Sequence, residues 1–432
     1  MIQADLLVTC IAELATPEGR TPLAGPSQGR LRIVRDAAVA CRGGAIVWIG
    51  PERDLAAAVR LEDGGVRVDA AGGTALPGFV DAHTHLPFAG WREAEFDERL
   101  RGATYSEIAS RGGGILSTVE RTRAIALADL AGLVRARLDT LLDLGTTTAE
   151  AKSGYGLTLE DECKQLQALR DGARGHAVEV VPTFLGAHTV PREHRARRED
   201  YVRLVIDGML PEVASRGLAE YADAFVDAHA FTLAEARRVL GAAREQGLGV
   251  RLHADQLADD GAAALAAELG AASADHLEHA SPAGMEALAR AGTCGVLLPG
   301  ATFFLMGKTA PPGRRLVESG VPVVVATDFN PGTCPMESMG AALAFACLTA
   351  GLAVDEAITA CTLNAACSIG RAERVGSLEP GKRADVVVHA VPNRYHLAYR
   401  LGLPRIATVI AGGRVVRTAA LSPSRGTGRR RS

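Results

Sequence analysis

Paired cysteines, a basic surface and a long apolar run are all missing from this chain, and each absence closes off a class of protein. The eight cysteines, Cys10, Cys41, Cys163, Cys294, Cys334, Cys347, Cys361 and Cys367, include no C-x-x-C pair and no regular spacing. Neither a disulfide framework nor a thiolate zinc site is indicated. A formal net charge of -3 supplies no basic face for nucleic acid. The basic end R-G-T-G-R-R-R-S (425–432) reads as a solvated, disordered tail. No stretch approaches 18 consecutive apolar residues, and the opening M-I-Q-A-D-L-L-V-T-C lacks the basic start, apolar core and cleavage site of a secretory leader. The expectation is a cytoplasmic chain with reduced thiols, no membrane and no nucleic-acid partner. A phosphate-cradling loop is missing too. G-G-G-I (112–115) follows a polar segment and lacks G-x-G-x-x-G spacing, so it reads as a hinge or a backbone contact to a substrate.

What is present falls into two textures. From Ala4 to about Val68 the chain runs in short β-like stretches, L-L-V-T-C-I-A, L-R-I-V and A-I-V-W-I-G, and similar stretches return near the end as D-V-V-V-H-A (385–390) and T-V-I-A-G-G-R-V-V (408–416). R-G-G (42–44) and A-G-G (411–413) are hairpin signals. Two β-rich ends around a different middle predict one small β-sandwich domain built from both termini. In the middle, apolar β-branched runs alternate with amphipathic helical segments. Strands are expected near 75–83, 146–152, 178–187, 222–228, 249–254, 273–277, 294–298 and 322–327. Helices are expected over 128–142 and 232–247, with Thr158 and Asp161 as a capping box. Eight strand–helix repeats in 432 residues favour an α/β fold, a (β/α)8 TIM-like barrel of roughly 250 residues, over an open doubly wound sheet. The expected division is 1–73 and 376–420 for the two parts of the sandwich, 74–375 for the barrel and 421–432 for the tail.

The chemistry starts in T-A-L-P-G-F-V-D-A-H-T-H-L-P-F-A-G (74–90). Residues two apart on a strand share a face, so Asp81, His83 and His85 point the same way. Two adjacent imidazoles make a chelate suited to zinc or iron, whereas a lone H-x-H is as readily two strand-end histidines satisfied by the backbone. The rest of the chain decides between these. His188 ends the third expected strand, His253 the fifth, His276 the sixth and Asp328 the eighth. That end of a barrel forms its mouth, and independent core histidines would not all fall there. Three His nitrogens and one Asp oxygen suit a divalent ion with a position left for water, whose pKa such an ion lowers to roughly 7. A hydrolase follows.

These residues carry a family resemblance that covers nearly the whole chain. P-G-F-V-D-A-H-T-H-L, then H-A-D, S-A-D-H and A-T-D resemble the metal-dependent amidohydrolase superfamily. More narrowly, R-E-A-E-F-D-E-R-L-R-G-A-T-Y (92–105), E-A-K-S-G-Y-G-L (150–157), F-L-G-A-H (184–188), V-L-L-P-G (296–300) and A-T-D-F-N-P-G-T (326–333) resemble the imidazolonepropionase family. The resemblance implies a barrel with a flanking β-sandwich and one ion, Zn2+ with Fe as the alternative, held by His83, His85, His253 and Asp328. It also implies ring opening of 4-imidazolone-5-propanoate, a small-molecule substrate, to N-formimidoyl-L-glutamate. A homodimer is plausible because relatives are often dimers.

Roles can then be matched to side-chain chemistry. Arg92 forks two donors onto a propanoate carboxylate, the competing reading being a solvated salt bridge to Glu93 or Glu95. Tyr155 would close over the ring and hydrogen-bond it, and His188 would donate to the ring oxygen or to the charge that builds there. His276 polarises the carbonyl and, with Asp328, moves protons between water and the leaving nitrogen. Asn330, Gly332 and Thr333 hold the substrate or the glutamate end of the product through amide, backbone and hydroxyl. Gln256 stands where related deaminases carry a proton-shuttling acid. It cannot carry a proton, so it is read as a ring-orienting hydrogen bonder. Lys152 falls after the second strand, away from the fourth-strand lysine of dinuclear relatives, so one metal is expected. Asp81, Asp255 and Asp275 are expected behind the ligands as packing groups or as groups that fix imidazole tautomers. His176, His194, His229, His279, His389 and His396 are given ordinary structural parts, and Cys334 has no base partner to make it a nucleophile.

Two rivals stand beside the hydrolase. A purine or pyrimidine deaminase on the same scaffold would release ammonia, and Gln256 counts against it. A non-catalytic barrel would be expected to lose its ligands first, and all four are present.

Overall fold

The structure is a computed structural model that describes residues 1–103, 107–108, 111–402 and 405–418. The expected tail 421–432 lies outside the described residues, as do the last two residues of 376–420.

Both ends of the chain meet in one mixed sheet. Its strands are β1 (Ile2–Thr16), β2 (Arg32–Arg42), β3 (Ala45–Pro51), β4 (Val59–Asp69) and β5 (Thr74–Pro77). From the far end come β14 (Val386–His389), β15 (Ile406–Ala411) and β16 (Arg414–Thr418). The order is β16-β15-β14-β5-β1-β2-β3, with β4 also paired to β1. Both hairpin signals are used: Gly43 and Gly44 turn β2 into β3 at φ +59 and +84, and Gly412 and Gly413 turn β15 into β16 at +55 and +73. A two-residue turn with both φ positive suits glycine best. The sheet curls until β3 reaches the segment before β14, where Ile46 N donates to Lys382 O at 2.9 Å. Leu6, Val8, Val39 and Ile46 thereby enclose a core with Val386, Val388 and Ile410.

The middle of the chain makes the second sheet, β6 (Phe79–Asp81), β7 (Thr146–Lys152), β8 (Glu179–Ala187), β9 (Tyr221–Ala224), β10 (Gly249–Ala254), β11 (Ser273–His276), β12 (Cys294–Leu297) and β13 (Val323–Val325). The eight strands are parallel and run in sequence order. A parallel bridge between Thr84 and Phe329 joins the first to the last, so the sheet closes into a barrel at its mouth. The expected strand 75–83 is divided. Thr74–Pro77 pairs with β1 and β14 in the terminal sheet, and only from Phe79 does the chain belong to the barrel. Gly78 makes the crossing, since a Cβ there would come within 2.2 Å of Thr147 Oγ1.

Helices clothe the barrel as the apolar spacing predicts. Leu127–Asp143 buries Leu130, Val134, Leu138 and Leu141 along one stripe, each such side chain contributing about 1.5–3 kcal/mol on leaving water. Its Arg137 reaches over the barrel rim, donating to Leu86 O at 2.5 Å and Phe88 O at 2.8 Å, and so pins the loop that follows His85. Leu233–Glu245 starts in a true capping box, Thr232 with Glu235. The expected box at Thr158 is half made. Thr158 accepts from Asp161 N, but the Asp161 carboxylate takes the Thr158 hydroxyl proton instead of returning to the backbone.

Candidate metal centre and cleft

The closing rungs of the barrel carry the histidines. Asp328 N donates to His83 O at 3.1 Å and His85 N to Phe329 O at 2.9 Å. H-T-H and T-D-F are thus neighbouring strands at the mouth. Thr84, between the two histidines, points the other way and donates its hydroxyl to Glu150 O at 2.7 Å. That is the strand alternation expected from the sequence.

One ligand-type atom from each of His83, His85 and His253 lies within 4.8 Å of the others, and the same holds for His83, His276 and Asp328. Asp328 Oδ1 is 3.5 Å from both His83 Nε2 and His85 Nε2. His83 Nδ1 is 2.6 Å from Asp275 Oδ2. A proton on that nitrogen leaves the lone pair on Nε2, which is buried and has no hydrogen-bond partner. Burial, with Lys152 next in weight, holds the His83 imidazole well below its ordinary value, and burial also lowers His85. An orphaned, buried His83 Nε2 beside His85 Nε2 and the Asp328 carboxylate, with His253 in the same cluster, is a donor set that suits a divalent ion, so the residues fit one.

The lower wall of the site is a set of charges inside the barrel. Lys152 Nζ lies 2.8 Å from Glu150 Oε1, 2.9 Å from Asp223 Oδ2 and 3.9 Å from Asp275 Oδ2, all fully buried. Arg251 donates to Ala82 O at 2.8 Å and to Asp275 Oδ2 at 3.3 Å. Asp223 Oδ2 is 3.0 Å from His253 Nδ1, off the line of a good hydrogen bond. Lys152 is therefore an ion-paired support. Of the three aspartates expected behind the ligands, Asp275 holds His83. Asp81 accepts from Thr327 Oγ1 at 2.6 Å, and Asp255 caps the helix at Ala262 and Ala263. Asp223, Glu150 and Arg251 were not anticipated. Their signal was there: charged residues at alternate positions of otherwise apolar strands must face something inside the barrel.

Above the ligands is a cleft of about 100 Å3. Its walls include His85, Arg92, Tyr155, His188, His253, Gln256, His276, Asp328, Asn330 and Thr333, together with Ile115 and Phe225, which the sequence did not single out. Ile115 follows the glycines of 112–114, so that segment meets the cleft through the residue that ends it. Arg92 is buried, and its closest acid is Glu95 at 3.9 Å. The pairing with Glu95 weighed in the sequence is therefore present at long range, but around a buried guanidinium and not a solvated one. Gly332 is not on the wall but behind Arg92. His188 Nδ1 donates to Gly154 O at 2.9 Å, leaving Nε2 for the cleft, and its ring stacks on His85 with centroids 5.3 Å apart. Asn330 Oδ1 accepts from Gly332 N, Thr333 N and Thr333 Oγ1 at 2.8–3.0 Å. Its amide therefore shapes the loop, and its expected contact with a substrate would fall to the remaining groups of that turn.

A profile of the Amidohydrolase family matches residues 74–416. Among curated relatives, imidazolonepropionase from Symbiobacterium thermophilum is 49% identical, over 96% of this chain and 98% of the relative. The imidazolonepropionase of Geobacillus kaustophilus is 48% identical over 95% and 97%, and that of Myxococcus xanthus 47% over 95% and 97%. Solved structures similar in fold include a zinc-bound adenosine deaminase from Xanthomonas campestris, with a TM-score of 0.71 at 18% identity over 96% of this chain and 93% of that one. A 5-methylcytosine deaminase from Klebsiella pneumoniae has a TM-score of 0.70 at 18% identity, over 95% and 98%.

Proposed function

Because the chain belongs to the amidohydrolase family and, within it, to the imidazolonepropionases, we propose how its residues share the hydrolysis of 4-imidazolone-5-propanoate to N-formimidoyl-L-glutamate. The deaminase alternative rests on fold alone, at 18% identity, against relatives more than twice as similar along nearly the full length of both chains.

The observation that carries the assignment is Arg92. Its guanidinium is buried and lines the same small cleft as His85, His253, His276 and Asp328. A forked cation at that place suits a propanoate carboxylate, and docking it there puts the five-membered ring over the histidines. His83, His85, His253 and Asp328 would hold one divalent ion, with zinc preferred to iron because the reaction needs no electron transfer. Bound there, such an ion acts as a Lewis acid and acidifies water toward neutrality.

The chain supplies the rest. Tyr155 and His188 lie side by side, ring centroids 5.3 Å apart, and bracket the ring; the free Nε2 of His188 is the donor for its oxygen. Gln256 orients the ring through its amide. His276 takes a proton from the attacking water and returns it to the ring nitrogen as the bond from carbonyl carbon to nitrogen breaks. The carbonyl carbon leaves as a carboxylate and the nitrogen as the formimidoyl end, so one water is consumed and no ammonia is released. The turn at Asn330, Gly332 and Thr333 backs the propanoate end.

The test is loss of the ultraviolet absorbance of imidazolone propanoate with purified protein, with and without a chelator. The expected result is rapid loss, abolished by the chelator and restored by zinc, with formimidoylglutamate as product. His253→Ala should lose both bound metal and turnover. A fully active His253→Ala protein would sink the ligand assignment, and ammonia from a nucleobase would revive the deaminase.

A further inference from the structure

Just past β11 two polar atoms face each other without partners. His276 Nδ1 and Glu278 Oε2 are both buried, neither makes a hydrogen bond, and they are 3.8 Å apart. The other carboxylate oxygen is already engaged: Glu278 Oε1 accepts from Thr302 Oγ1 at 2.7 Å. Thr302 sits on the short helix Pro299–Phe304 that begins within V-L-L-P-G (296–300), a motif to which the reaction so far gives no task. The backbone between the facing atoms is unusual. His276 and Leu277 both have positive φ, +80 and +69, though neither is glycine, a strained conformation that L side chains rarely adopt. It reverses the chain so that Glu278, two residues on, comes back beside the ring.

The chemistry gives that arrangement a use. Gln256 leaves the cleft without the proton-carrying acid that the deaminases hold at its place. A bound divalent ion would add positive charge to a cleft already lined by imidazoles. A ring that takes up a proton there is badly placed unless an anion lies on the side away from the reaction, because charge in a dry site is strongly felt. Asp328 is committed to the ligand set. Asp275 is engaged by His83 and Arg251. Glu278 is the carboxylate that faces His276 Nδ1, and it is not among the residues lining the cleft.

We propose that Glu278, anchored by Thr302, is the positioning residue for His276. When the 3.8 Å gap closes, Glu278 accepts from Nδ1–H, which fixes the tautomer that presents Nε2 to substrate and stabilises the imidazolium formed while the proton travels from water to the leaving ring nitrogen. Glu278 keeps its own protonation state throughout. The inference rests on the ring-opening reading above.

Steady-state kinetics of the zinc-loaded protein on imidazolone propanoate test it, using wild type, Glu278→Gln, His276→Ala and the double variant, with metal content measured for each. Glu278→Gln is expected to lower kcat roughly 10- to 100-fold, with KM within about twofold and metal content unchanged. In the His276→Ala background the same substitution should change the residual kcat by less than about twofold, because its effect runs through that ring. Thr302→Val should lower kcat in the same direction by a smaller factor, and it carries the test if Glu278→Gln does not fold. A Glu278→Gln enzyme with wild-type kcat would overturn the proposal. So would equal losses in both backgrounds, which would mark a purely structural part. A wild-type enzyme that leaves the substrate untouched would instead sink the ring-opening reading, and this inference with it.

Discussion

The Arg92 guanidinium occupies the space where a side chain at Gly332 would begin, so close that a Cβ at 332 would come within 1.2 Å of Arg92 Nη2 and 1.8 Å of its Cζ. Only glycine leaves the guanidinium room. The two residues are far apart in sequence and are joined at the barrel mouth, where Arg92 N donates to Pro331 O at 3.2 Å. The loop after the last strand thereby aims the cation carried by the loop after the first.

Gly332→Ala is therefore expected to act as a mutation of Arg92 by proxy. Displacing the fork loses charge-assisted hydrogen bonds worth about 1.5–3 kcal/mol, so KM for imidazolone propanoate should rise roughly 10- to 100-fold. Metal content should stay at the wild-type level. Unchanged KM in a folded Gly332→Ala protein would show that Arg92 does not hold the substrate.

Asp275 and Asp223 back two of the ligand imidazoles at 2.6 Å and 3.0 Å. Asp275→Asn and Asp223→Asn should each weaken zinc binding by about 10- to 100-fold, the usual effect of removing a partner from a ligating histidine. A competition titration against a chromophoric chelator reads this directly, without turnover. Wild-type affinity in both variants would mean that the carboxylates serve only the charge network.

Removing Lys152 should be a matter of folding first. Lys152→Met leaves Glu150, Asp223 and Asp275 buried with Arg251 as their remaining cation, and an uncompensated buried charge costs about 3–5 kcal/mol. Urea unfolding of the metal-free proteins measures the difference. A loss under about 1 kcal/mol would show that the three acids are already neutral in the fold.

His389, at the end of β14, gives a pH dependence separate from the metal centre. Its ring packs edge-on against Phe79 with centroids 5.7 Å apart, and burial pushes its imidazole down to about 4. The fold keeps it neutral while the unfolded chain takes up a proton near pH 6.5. Its contribution is therefore intact above about 6.5, declines as pH falls, and is spent below about 4, a span of roughly 3 kcal/mol. His389→Gln should lose less stability than wild type between pH 7 and pH 5. Parallel unfolding curves for the two proteins would contradict this.

The barrel was legible because a parallel sheet covered on both faces writes itself as apolar runs between amphipathic helices, and all eight expected strands have a counterpart. Its first strand was overrun because T-A-L-P-G-F-V-D reads as one run. The handover from one sheet to the other depends on Gly78 against Thr147, a contact across strands that a single run does not reveal. The gathering of His83, His85, His253, His276 and Asp328 could be anticipated from their place at strand ends. What lay beneath them could not be ordered the same way. Asp223 and Lys152 meet only through barrel closure, and Glu278 faces His276 only because two residues adopt a backbone conformation that no side chain announces.

The seam at Thr84 and Phe329 has a consequence for biosynthesis. A nascent chain emerging from the ribosome exposes His83 and His85 early, yet Asp328 follows only after almost the whole barrel has been translated. On the ligand set proposed above, full-affinity metal capture waits for the final strand to dock, so metal retention would serve as a reporter of completed folding, and a prematurely terminated product would be left without it.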